Sequence, residues 1–404
     1  MKGAQFLLLL LLLSYCSPKK DQPKESISPV KGTFAFDRNF LAQYKKIHVL
    51  KSGDAQVIVI GDYQGRVMTS TANGDVGTSF GWINYDLIAS GQLKPHMNAF
   101  GGEDRFWMGP EGGQYSIFFP KGSKFEFESW QTPALIDSEP FDVRWYDSVR
   151  ISFTRGAKLV NYQGFEFDIE INRKVELVSV PDIERVFGIT LGKLKAVCYR
   201  TENMISNTGD KDWTKQNGLL SIWILGMFIP TPATTIVVPF DRTSDPTQVT
   251  DNYFGSIPAD RIVKTDSILL LKGDGKFRGK VGIAPTIAKN IAGSYAADKH
   301  ILTLVKFDVD KNAEYVNSKW EMQKRPFSGD AVNSYNDGPL ADGSQMGPFY
   351  EIESSSPARE LKRGEQLVHK SITLHLEGDQ AELDLVARKA LGISLGQIDS
   401  AFKK

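Results

Sequence analysis

The segment Asn98-Ala-Phe-Gly-Gly-Glu-Asp-Arg-Phe-Trp-Met-Gly-Pro-Glu-Gly-Gly113 organises the reading of this chain. Its paired glycines, Gly101-Gly102 and Gly112-Gly113, permit left-handed backbone or a close approach of the main chain to another group. Between them stand Glu103, Asp104, Arg105 and Trp107, hydrogen-bonding and stacking side chains of the kind that loops use to hold a polar, ring-shaped ligand. The same residues also suit a structural role, in which Arg105 pairs with Glu103, Asp104 or Glu111 across a long turn while Trp107 fills core. Both readings are open on the sequence alone.

On either side of this segment the chain reads as strands. Upstream, residues 36–46 have helical spacing behind a cap at Asp37, and 47–50, 55–60 and 66–70 are β-branched runs separated by Gly and Asp, with Asn73-Gly74 as a hairpin turn. Downstream, strands are expected at 115–119, 124–129, 141–146, 149–154, 166–177, 185–190, 196–203, 221–228, 235–239, 268–272, 302–307, 349–354 and 366–376, and a helix at 381–391. An antiparallel meander follows, with few helices. No repeat or second linker divides it, so residues 33–404 read as one all-β domain.

Charge and composition exclude several classes. Lys plus Arg equals Asp plus Glu at 48 each, so no global field draws the chain to nucleic acid or an anionic membrane surface. Lys2 and the apolar run 6–13 form an export leader too short to span a bilayer. It ends at Leu13-Ser-Tyr-Cys16, which resembles a bacterial lipoprotein signal peptide cut before a lipidated cysteine, although Tyr15 is bulky for that position. Residues 17–32, rich in Pro, Lys and Ser, read as a flexible tether. The expected setting is the bacterial cell envelope, periplasmic or on the outer membrane, with the lipid as the only membrane contact. Cys198 is then the remaining cysteine and reads as a buried, inert thiol.

The chemistry-bearing candidates are carboxylates. Glu351 and Glu353 lie two apart in Tyr350-Glu-Ile-Glu-Ser354, so on a strand they share a face, where mutual repulsion can raise one pKa into the range of an acid or base. A solvated outer face is the plainer explanation of the same spacing. The stretch 329–338, with Asn333, Asn336 and Asp337, has oxygen and amide groups for sugar hydroxyls or calcium, and equally those of an Asx-rich turn. No cofactor is called for. The five histidines lack HExxH spacing, Asp308-Val-Asp-Lys-Asn312 lacks the Gly and Glu of an EF-hand, and Gly279-Lys280 does not complete a phosphate loop.

Four further motifs carry a resemblance. Asp62-Tyr-Gln-Gly-Arg66, Asn98 with Gly101-Gly102 and Trp107, Glu202 to Gly209 with its Asn-Thr-Gly turn, and Glu353 ahead of Pro357 and Leu361-Lys-Arg-Gly-Glu365 together resemble the galactose mutarotase-like superfamily, and within it a bacterial lipoprotein family. The resemblance implies a large antiparallel β-supersandwich with sugar on a concave sheet face. It also implies that Glu353 is the general base at the anomeric hydroxyl, with a histidine protonating the ring oxygen. Phe100 stands where one family histidine is expected, and 221–226 presents Trp223 instead of another, which leaves His96 and His300 as substitutes from other positions. The expected protein is an exported carbohydrate-binding or carbohydrate-modifying one, with Glu353, Glu351 and His96 as catalytic candidates. Asn98, Glu103, Asp104, Arg105, Trp107, Trp223, Asn333 and Asp337 are the candidate sugar contacts. The alternative is a non-catalytic lipoprotein binding glycan or protein on the same scaffold.

Overall fold

A computed structural model describes residues 29–403. The leader, Cys16 and most of the expected tether lie outside the described residues. The first helix, Phe34–Tyr44, is capped by Thr33 rather than Asp37. Asp37 instead lies buried inside it and accepts hydrogen bonds from Ser79 and Tyr85. A three-stranded sheet follows, Ile47–Ser52, Ala55–Ile60 and Arg66–Thr71. Asn73-Gly74 does not close a hairpin: Gly74–Val76 is a single 3-10 turn that leads away from the sheet.

Two larger antiparallel sheets make the body. The ten-stranded one has at its centre Ile301–Phe307, Gln366–Glu377, Lys195–Asn207 and Glu166–Leu177, long strands whose apolar residues alternate as a sheet requires. The six-stranded one runs Val249–Thr250, Gly279–Ile283, Val332–Asn336, Tyr350–Ser355, Ser221–Phe228, Arg105–Gly109. The expectation of an all-β, antiparallel fold with a few peripheral helices therefore holds.

Alternation assigns each face of the smaller sheet. Phe106, Met108, Ile222, Ile224 and Ile352 face the larger sheet and share core with Phe153, Ile171, Tyr199 and Val305. The other face of the larger sheet is covered by Val180–Phe187, Gln380–Leu391 and Leu395–Ser400. The first of these helices replaces the strand expected at 185–190. Ser179 caps it and Pro181 sits in its first turn, local start signals that outweigh the β-branched residues beyond. Cys198 is buried beneath this layer, and burial drives its thiol well above the ordinary value.

The segments 115–119 and 124–129 also depart from expectation, since neither joins a sheet. Their aromatic residues act as cover. Phe118 stacks on Trp130 at 5.8 Å, and Phe119 meets Trp320 edge-on at 5.2 Å, so that this loop lies over the second face of the smaller sheet. As a result Tyr350–Ser355 and Ser221–Phe228 are buried on both faces along nearly their whole length. At Gly101 the backbone takes φ +95°, and a Cβ there would fall 2.0 Å from the Trp82 carbonyl oxygen, which is why the entry to this sheet needs glycine.

Candidate functional site

The second face of the six-stranded sheet carries charge where a core would carry aliphatic groups. Register places Asn333, Glu353, Leu225 and Arg105 side by side across four strands, with Lys280, Tyr335, Glu351 and Met227 in the next row and Trp223 beside Trp107 in another. Period-2 alternation turns all of these side chains the same way. Glu351, Glu353, Arg105, Trp107 and Trp223 are each buried.

Two ion pairs organise the face. Arg105 Nη2 donates to Glu351 Oε1 at 3.2 Å, and its guanidinium lies 4.2 Å from the centre of the Trp107 ring. Lys280 Nζ donates to Glu353 Oε2 at 2.9 Å, and the Trp223 indole N–H donates to that same oxygen at 2.9 Å. The Lys280 ammonium also lies 4.7 Å from the centre of the Trp223 ring. Glu353 Oε1 is left buried without a partner, as are Arg105 Nε and Trp107 Nε1. Unpaired polar atoms in the interior are costly, and three of them share this face.

The two carboxylates of the strand are not equivalent. Burial, joined by repulsion from Glu353 and opposed by Arg105, pushes the Glu351 carboxyl up to about 8. Burial works against the Lys280 ammonium, but Glu353 and Glu111 outweigh it and hold its pKa above the usual lysine value. Burial also raises Glu111, which faces Lys280 and Trp320 from the covering loop. Of the two carboxyls, Glu351 is the one displaced towards neutrality, and Glu353 is the one held by the Lys280 ammonium.

Other expected site residues lie elsewhere. Glu103 accepts hydrogen bonds from Ser70 N at 2.5 Å and from Ser70 Oγ, and contacts His375 Nε2 at 3.0 Å. Asp104 pairs with Arg173 at 2.5 Å and accepts from Thr201 Oγ1 at 3.0 Å. Their partners belong to the three-stranded and ten-stranded sheets, so both acids face the inter-sheet seam and not the Glu353 face. The sequence expectation that they join Arg105 in one site is corrected by this placement. The pairing of Arg105 is likewise with Glu351, far along the chain, and not with Glu103, Asp104 or Glu111.

Asn98 is committed to Asp137, to which its backbone N–H and side-chain amide both donate, at 3.0 and 2.7 Å. His96, with φ +68°, has its ring Nδ1 on the Trp130 carbonyl oxygen and packs on Phe127, and it makes no hydrogen bond to Glu353. His300 is exposed in a turn of the larger sheet. Asn333 lies opposite Glu353 and donates to Tyr253 Oη and the Val281 carbonyl, both at 3.2 Å. Asp337 accepts from Tyr335 Oη at 2.5 Å and from Gly347 N at 3.0 Å, pinning the end of its strand. Among the described residues, no group of three or more His, Cys, Asp or Glu side chains is arranged to hold a metal ion.

Sequence reading passed over Lys280, Tyr253, Trp130 and Trp320. Lys280 had one usable signal, its place in the alternating strand Gly279-Lys-Val-Gly-Ile283. The two tryptophans had none, because they reach the site from loops.

Residues 32–402 match the model of a family described as a family of unknown function, DUF6786. The chain belongs to the DUF6786 family. No curated protein matches it. Solved structures similar to this family member include the Slr1438 protein from Synechocystis sp. PCC 6803, at 12% identity and TM-score 0.49, covering 83% of this chain and 96% of that one. A galactose mutarotase-like protein from Lactobacillus casei is similar at 11% identity and TM-score 0.48, covering 82% and 100%. A galactose mutarotase related enzyme from Lactobacillus acidophilus is similar at 11% identity and TM-score 0.46, covering 82% and 98%.

Proposed function

We propose that this DUF6786 member is an exported, lipid-anchored protein that binds a carbohydrate on the Glu351–Glu353 face and carries out an epimerase-like acid–base step there. The observation that carries the proposal is the state of Glu353: one carboxylate oxygen is held by Lys280 and Trp223, and the other is buried and free. A free, fixed carboxylate oxygen is suited to take the proton of an anomeric hydroxyl. As that proton leaves, the bond from the anomeric carbon to the ring oxygen breaks, and the ring oxygen takes a proton from a neighbouring acid. Glu351, held up to about 8, is the available donor, about 7 Å along the strand. Closure of the ring on the other carbonyl face returns both protons. Trp107 and Trp223 meet edge to face at 5.5 Å and are the aromatic groups beside these carboxyls. Cys16 is the proposed lipidation point, which fixes the domain to the envelope without any spanning segment.

NMR of the soluble domain with free hexoses tests this, by reading saturation transfer for contact and anomeric exchange for chemistry. Glu353→Gln is expected to lower exchange at least about 100-fold while contact persists. Unchanged exchange in that variant rejects the role of Glu353. The rival reading is a non-catalytic glycan-binding or protein-binding lipoprotein, favoured by the lack of any histidine hydrogen-bonded to Glu353 among the described residues. Its glycan-binding form predicts contact with no exchange in either protein, and its protein-binding form predicts neither.

A further inference from the structure

A cavity of about 420 Å³, open on one side, lies beside the site and apart from it. Phe118 stands between the two: it lines the cavity and also packs against Trp107 at 5.5 Å. The cavity has apolar walls from Ile117 and Phe119 and a polar group made by Asn98, Thr132 and Asp137. Asp137 is 4% exposed and Thr132 1% exposed. The Asn98 amide and backbone N–H lock the Asp137 carboxylate in one orientation, and carboxylate oxygens keep lone pairs for further donors. The Thr132 hydroxyl has no partner at all. The Thr132 backbone N–H donates to the His96 carbonyl, which fixes this residue at the cavity wall and leaves its buried hydroxyl as the unpaired group.

We propose that this cavity is a second carbohydrate subsite, which takes one pyranose ring. The proposal rests on the reading of this protein as carbohydrate-binding. Apolar side chains facing an oriented carboxylate and a free hydroxyl match a ring that has a C–H face and a rim of hydroxyl groups, and the volume lies within the range of small-ligand pockets. Phe118 is the group shared by the two places, lining the cavity on one side and packing on Trp107 on the other. A glycan longer than one residue therefore has a position for a second ring beyond the Glu353 face.

Two variants test the cavity without touching the Glu353 face. Thr132→Val removes a hydroxyl that bonds to nothing in the protein, and Ala134→Trp places bulk at the exposed rim. The probes are methyl glucoside, methyl galactoside and methyl glucuronide, whose locked anomeric centres cannot mutarotate, and the readout is saturation-transfer NMR on the soluble domain. Wild type and Glu353→Gln are expected to contact at least one probe. Thr132→Val is expected to weaken the cavity's share of that contact about threefold to tenfold, and Ala134→Trp to leave only the contact made at the Glu353 face. Contact unchanged in both cavity variants overturns the subsite, and so does the absence of contact with every probe in the wild type. Anomeric exchange of free hexose separates the two claims: its absence in wild type counts against the catalytic reading alone, while its survival in Ala134→Trp is expected.

Discussion

The Lys280 ammonium lies 2.9 Å from Glu353 Oε2, and both groups are almost withdrawn from water, at 13% and 0% side-chain exposure. The cation comes from the strand two places away, so the pair reaches across the intervening strand Val332–Asn336 and sets a buried positive charge beside a buried carboxyl group.

Removing the cation should be felt as lost stability. Lys280→Met leaves Glu353 buried without its counter-charge, and a loss of about 3 kcal/mol is expected. The double variant Lys280→Met, Glu353→Gln removes the charge as well and should recover part of that loss. Urea unfolding of the four proteins in the cycle gives the coupling. Simple additivity would show that the pair is not energetically linked.

Stability should also depend on the ionisation of Glu351. Its folded-state pKa is raised from 4.5 to about 8, so between those values the folded protein binds more protons than the unfolded chain. Stability from this group is full below about pH 4.5 and is lost as pH rises through about 8. His369 acts in the opposite sense at lower pH: burial lowers it to about 4, so stability falls as pH drops from 6.5 towards 4. Above pH 6.5 the His369 contribution no longer changes, and the Glu351 variant separates the Glu351 share from that of the other raised carboxyls, Asp104, Glu111 and Asp330. Glu351→Gln should flatten the fall in unfolding free energy across that window, measured by urea titration at several pH values. An identical slope in the variant would reject the raised pKa.

The contrast between Glu351 and Glu103 shows what was legible in the sequence. Glu351 and Glu353 belong to one strand, and a period of two puts them on one face whatever the rest of the chain does. Glu103 and Asp104 precede the regular strand, where no period applies, and their direction is decided by Ser70, His375 and Arg173, all supplied by other sheets. The strand alternation gave the face of Lys280 but not its partner, which stands 73 residues away and is joined to it only by the sheet order. Strands with long alternating runs, such as 166–177 and 366–376, were plain. The aromatic segments near 117 and 127 were not, because aromatic residues favour strands and loop cover alike when the surface to be covered is not yet known.

Asp104 and Arg173 provide the test of that distinction. The pair is buried at 1% and 0% side-chain exposure, and Arg173 also donates to the Gly65 and Asp104 carbonyl oxygens, so it ties the three-stranded sheet and the start of the Arg105–Gly109 strand to the ten-stranded sheet. Asp104→Asn keeps the shape and removes the charge, leaving a guanidinium buried without its carboxylate. A loss of about 3 to 5 kcal/mol is expected, readable as a lower urea midpoint with little change in slope. Because Asp104 faces the seam, the fraction that remains folded should bind sugar as the wild type does. A variant of normal stability that has lost sugar contact would return Asp104 to the binding face, where the sequence alone had put it.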